Sequence, residues 1–76
     1  MWRMTGRELL AANLKRQRGL RDFSQEELAD LASIDRTYIS SLERCLYAAS
    51  VDIIDRLANA LGVEPAELLR CPPAGP

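Results

Sequence analysis

Leucine, isoleucine and alanine recur every three or four residues along most of this chain, and a polar capping residue interrupts the pattern at four places. Thr5 starts the first predicted helix, with Glu8 three residues on completing a capping box. Leu10 and Leu14 mark its apolar stripe as far as about Arg21. Gly19 lies inside that span and weakens it by about 1 kcal/mol relative to alanine, so an earlier end there is the alternative. Ser24 and Glu27 form a second capping box ahead of a short helix ending near Ala32, whose apolar face is Leu28, Leu31 and Ala32. Asp35 caps a third helix with Ile39, Leu42 and Leu46 at its apolar positions. Ser50 caps a fourth, in which Val51, Ile54, Leu57, Ala58 and Leu61 face inward and Gly62 stands where a left-handed C-cap is wanted. Pro65 suits the first turn of a fifth, short helix carrying Leu68 and Leu69. The expected fold is all-α, a compact five-helix domain over residues 5–70, with an N-terminal extension over 1–4 and a disordered proline-rich tail over 71–76.

Composition points the same way. Twelve leucines against two valines and two threonines favour helix over strand. A length of 76 residues allows one small domain and excludes large multidomain enzymes. A domain near this size buries only about 60 % of the surface its unfolded chain exposes, so a second copy is a natural source of further burial. There is no histidine, which removes Ser-His-Asp and Cys-His nucleophile pairs and the commonest metal ligand. Cys45 and Cys71 have no C-x-x-C spacing and read as reduced thiols. Asp52 and Asp55 stand three apart on the fourth helix with no base or metal signature beside them, so no catalysis, metal or cofactor is expected. The first ten residues carry Arg3, Arg7 and Glu8 and do not resemble a signal peptide, and no apolar run approaches the roughly 20 residues of a membrane span. The expected location is the cytoplasm.

Net charge is −1, but it is unevenly spread. Residues 1–24 hold six basic side chains against Glu8 and Asp22, whereas residues 25–76 hold four basic against nine acidic. One side of the domain is therefore expected to face a polyanion, or simply to be a solvated basic face.

Two short helices joined by a tight turn, the second opening with polar side chains, have the geometry of a helix-turn-helix. Leu28, Ala32, Ile34, Ile39 and Leu42 supply an inner face, Ala29 is the small residue for the helix crossing, and the second helix keeps a polar face for the major groove. With the S-Q-E-E-L-A of Ser24–Ala29 and the Y-I-S-S-L-E-R of Tyr38–Arg44 as its strongest parts, the chain resembles the lambda/434 repressor and Cro type of helix-turn-helix transcriptional regulator over about Leu10 to Leu69. The D-R-T-Y-I-S-S-L-E-R run also looks like the controller proteins of restriction-modification systems.

The resemblance implies a non-catalytic regulator that binds double-stranded DNA as a homodimer on a pseudo-palindromic operator, with no evident small-molecule effector. Arg36, Thr37, Ser40 and Ser41 become candidates for reading bases, Arg36 foremost because a guanidinium bonds guanine O6 and N7 in bidentate fashion. Lys15, Arg16, Arg21, Ser24, Gln25 and Arg44 become candidates for phosphate contacts. Arg18 and Glu43 match an ion pair joining the first and third helices, and Ile53, Val63, Leu68 and Leu69 are candidates for the dimer face. Ser33 and Cys45 stand where relatives often have glycine, so either the backbone there is strained or the helix continues. The loop Cys45–Ala49 lacks the basic residues of many relatives; Leu46 and Tyr47 are expected to cover the edge of the core, with a partner site as the alternative. The competing function is a protein-interaction module that keeps the fold without binding DNA.

Overall fold

A computed structural model describes residues 4–72, so most of the expected extension and tail lies outside the described residues. Among the described residues four α-helices follow one another: α1 (Gly6–Leu20), α2 (Gln25–Ala32), α3 (Arg36–Glu43) and α4 (Val51–Leu61). The fifth expected helix is a single stretch of 3₁₀ structure, Pro65–Leu69. Five residues, Pro65 included, are too few to establish an α-helical ladder, and the tighter form suits so short a piece.

Each α-helix starts where its cap predicts. The Thr5 backbone N–H donates to Glu8 Oε1 at 2.8 Å, and the Glu8 N–H donates to Thr5 Oγ1 at 3.2 Å. Ser24 and Glu27 repeat the exchange at 2.8 and 3.0 Å. The Thr37 N–H donates to Asp35 Oδ1 at 2.8 Å and the Ile53 N–H to Ser50 Oγ at 3.1 Å. Gly19 is accommodated within α1, which ends one residue short of Arg21.

The core joins Leu10 and Leu14 of α1, Leu28, Ala29 and Ala32 of α2, Ile39 and Leu42 of α3, Leu57, Ala58 and Leu61 of α4, and Leu68. α1 packs on α3 and the 3₁₀ stretch, while α2 packs on α3 and α4. Leu31, Val51 and Leu46, which the periodicity places on the apolar faces of their helices, fall outside this core. Leu31 is 57 % exposed and Val51 77 % exposed, so neither belongs to the inward face of its helix. Leu46 lies beyond the end of α3 and, with Tyr47, is exposed instead of covering the core edge.

Two polar residues take part in the buried stripe of α1. Asn13 donates from Nδ2 to the carbonyls of Leu68 and Arg70 at 3.1 and 2.7 Å, which ties the end of the chain to α1. Gln17 accepts at Oε1 from Arg21 Nη1 at 2.6 Å. Both sit three or four residues from Leu10 or Leu14, a spacing that marks them as buried and hence as needing partners.

Ser33 (φ 56°), Cys45 (φ 61°) and Asp22 (φ 56°) adopt the left-handed conformation, so the turns close and the strain alternative holds. At the α2–α3 turn this permits the Ile34 N–H to reach the Ala29 carbonyl at 2.9 Å. A non-glycine residue in that conformation is disfavoured by roughly 1–2 kcal/mol, partly offset by the greater entropy glycine loses on folding. Ser33→Gly is therefore expected to stabilise the domain by about 1 kcal/mol, seen as a rise of about 4–8 °C in Tm. A fall in Tm would show that the serine side chain contributes more to the turn than its Cβ strain removes.

Candidate nucleic-acid interface

The first residues of α2 and α3 adjoin. Ser24, Gln25 and Glu26 line a shallow cleft together with Arg36 and with Arg18 from α1. Two helix N-termini thus open onto one surface, where unpaired backbone N–H groups and the helix dipoles favour an anion.

Along α3, Arg36 and Thr37 are exposed and Ser40 is half-buried. Ser41 is only 8 % exposed and faces the interior, which removes it from the outward-facing candidates. Its position, one residue before core Leu42, is rotated toward the packed side of the helix. Arg44 caps the helix C-terminus and is exposed. Ser24, Lys15 and Arg16 are exposed too, whereas Arg21 is half-buried with Nη1 held by the Gln17 carbonyl and side chain.

Behind this surface lies the Arg18–Glu43 pair. Arg18 Nε donates to Glu43 Oε2 at 2.7 Å and Nη2 to Oε1 at 2.8 Å, while Nη1 donates to the Phe23 carbonyl at 2.9 Å. The hydrogen bonds to Glu43 raise the Arg18 pKa against the opposing effect of burial, and the carboxylate charge adds to the rise. Gln25 Nε2 also donates to Glu43 Oε1, at 3.1 Å. One carboxylate therefore binds the end of α3 to α1 and to the first residue of α2, while Arg18 itself holds the linker between α1 and α2 through the Phe23 carbonyl.

Sequence reasoning missed this Gln25–Glu43 link, and also the role of Tyr38. The Tyr38 hydroxyl donates to the Ala48 carbonyl at 3.3 Å, and its ring lies 5.8 Å from that of Tyr47. Together these hold the loop after α3 against the helix. Two aromatic residues nine apart across a loop gave the only hint.

Leu68 is fully buried and belongs to the core, so it leaves the candidate dimer face. Ile53 and Val63 are half-buried against the same core. Leu69 remains 43 % exposed. With Ala48, Ala49 and Ile54 it lines a groove that also touches Gly6, Arg7 and Leu10.

A helix-turn-helix family model matches residues 14–68, from the middle of α1 to the 3₁₀ stretch. The chain belongs to the helix-turn-helix family. As a helix-turn-helix protein it is 41 % identical over 66 residues to a hypothetical transcription factor of Neisseria meningitidis serogroup B, covering 87 % of this chain and 62 % of that protein. It is 46 % identical over 48 residues to control protein C.BamHI of Bacillus amyloliquefaciens, covering 63 % of this chain and 59 % of that protein. The chain thus spans about three fifths of the length of these two relatives. The crystal structure of the restriction-modification controller protein C.AhdI from Aeromonas hydrophila superposes with a TM-score of 0.79 at 37 % identity, over 82 % of this chain and 94 % of that one. The likeness to controller proteins carried by Asp35–Arg44 is thereby borne out.

Among the described residues, no helix is long and apolar enough to cross a membrane, and no group of three or more Cys, Asp or Glu is placed to hold a metal ion. Cys45 and Cys71 are free thiols.

Proposed function

We propose that this helix-turn-helix protein is a transcriptional regulator that binds a pseudo-palindromic DNA operator as a homodimer, with α3 in the major groove. The observation that carries the reading is the shared surface of Arg36, Gln25 and Ser24, where the starts of α2 and α3 meet. Arg36 and Thr37 read base edges at the tip of α3, with Ser40 beside them. Ser24, Gln25, Lys15, Arg16, Arg21 and Arg44 bond phosphates on either side. The dimer forms through Leu69 and the groove it lines with Ile54, extended by exposed Val51 one turn earlier on α4. Two-fold pairing then sets the two α3 helices about 34 Å apart, one turn of duplex.

Selection from a randomised duplex pool tests this. The expected result is an inverted motif with half-sites about one helical turn apart. Folded protein that enriches no motif at low salt would instead support the interaction module, which the exposed neighbours Leu46 and Tyr47 in the loop after α3 favour.

Arg36→Ala is expected to lose about 1–3 kcal/mol on the selected operator and to relax specificity at one position per half-site. Lys15→Ala should weaken all duplexes alike and reduce the salt slope by about one. Equal losses on every sequence for Arg36→Ala would reassign it to a phosphate.

A further inference from the structure

We propose that Glu43, which is 4 % exposed and has no route to DNA itself, is a positioning residue for DNA contact that holds the Gln25 side-chain amide in its binding orientation. This rests on the DNA-binding reading and deepens it.

Gln25 is the first residue of α2 and lies on the cleft with Ser24 and Arg36. A glutamine there has three rotatable side-chain bonds, and ordering them at the moment of binding weakens the complex. One Nε2 hydrogen is already committed to Glu43 Oε1 at 3.1 Å, an interaction strengthened by the acceptor's charge. The amide plane is then set before DNA arrives, and the second Nε2 hydrogen is left to donate to a phosphate beside the first-turn N–H groups of α2.

A carboxylate under a phosphate-binding surface ought to repel its ligand. Here Arg18 removes that objection, since it covers both Glu43 oxygens at 2.7 and 2.8 Å and neutralises the charge. Arg18 lines the same cleft. The ion pair that joins α1 to α3 and the phosphate contact at α2 are thus one connected unit, in which Gln25 is the outermost member.

Hydrogen exchange of the Gln25 side-chain amide, followed by ¹⁵N NMR on the wild-type protein, reads the link without DNA or substitution. One slowly exchanging and one fast proton are expected; two protons exchanging at free-glutamine rates would overturn the proposal. The second arm is a double-mutant cycle on operator affinity, measured at 15 °C with each variant's folded fraction determined by circular dichroism. Gln25→Ala and Glu43→Gln are each expected to weaken binding about tenfold, and the double variant about tenfold as well, because the second change removes an orientation no longer used. A double variant weakened about a hundredfold means independent effects and overturns the positioning role while leaving operator binding intact. Failure of the wild-type protein to bind any duplex selectively overturns the proposed function and this inference together.

Discussion

Arg18→Ala is expected to remove about 3–5 kcal/mol of folding stability, because it leaves the buried Glu43 carboxylate without its counter-charge. The same substitution removes three hydrogen bonds, two to Glu43 and one to the Phe23 carbonyl that fixes the linker between α1 and α2. Gln25 alone is left to donate to Glu43, and one neutral amide does not replace a guanidinium. A domain of this size has roughly 4–11 kcal/mol in all, so the variant should lie near or within its unfolding transition at 37 °C. Urea denaturation followed by circular dichroism checks the value. A loss under about 1 kcal/mol would mean that solvent screens the pair as it does on an open surface. Replacing both partners by apolar residues of similar size is expected to cost far less than replacing Arg18 alone, since no charge is then stranded. The contribution is also expected to persist across neutral pH. Glu43 shifts the Arg18 pKa upward, so the stabilisation is fully present below the arginine's unfolded value and is lost only as pH rises through the higher folded one.

Leu69→Asp is expected to weaken the proposed homodimer by about a hundredfold in Kd while leaving helical circular dichroism unchanged. The factor is large because a two-fold interface counts each substitution twice. Each protomer loses the burial of a partly exposed leucine, about 1 kcal/mol, and two carboxylates are brought together across the axis. These sum to about 3 kcal/mol, or about two powers of ten. The fold survives because Leu69 already meets solvent, whereas an aspartate at neighbouring Leu68 would be buried in the core. Sedimentation equilibrium of Leu69→Asp beside Leu20→Asp gives the comparison, Leu20 being exposed on α1 and absent from the groove. An unchanged dimer for Leu69→Asp would move the interface elsewhere, and dissociation by Leu20→Asp would move it to the end of α1.

Both expectations rest on residues that the sequence revealed to different degrees. Arg18 and Glu43 are 25 positions apart, and only the likeness to known regulators paired them. The pairing of Gln25 with the same carboxylate had no sequence signal, since a polar residue at the start of a helix reads as a cap or a phosphate ligand wherever its side chain points. Arg36 and Thr37 were legible as the free face of α3, with half-buried Ser40 at its edge, once Ile39 and Leu42 fixed its buried side. Ser41 was not, because a small hydroxyl residue is equally compatible with the buried and exposed edges of an eight-residue helix.

By itself the sequence determined the starts of all four α-helices, the left-handed end of α4 at Gly62 and the majority of the core. Those features depend on contacts within three or four residues, where side chain, backbone and spacing are written side by side. Tertiary structure alone decided which of two adjacent leucines is core and which is surface at Leu68 and Leu69, and why Leu31 and Val51 face solvent. Periodicity gives a helix an apolar stripe, but the width of the stripe that is covered depends on which neighbouring elements reach it. The convergence of Arg18, Gln25 and Glu43 was decided in the same way: their meeting depends on how α1, α2 and α3 pack, and packing brings together charges that the chain holds apart.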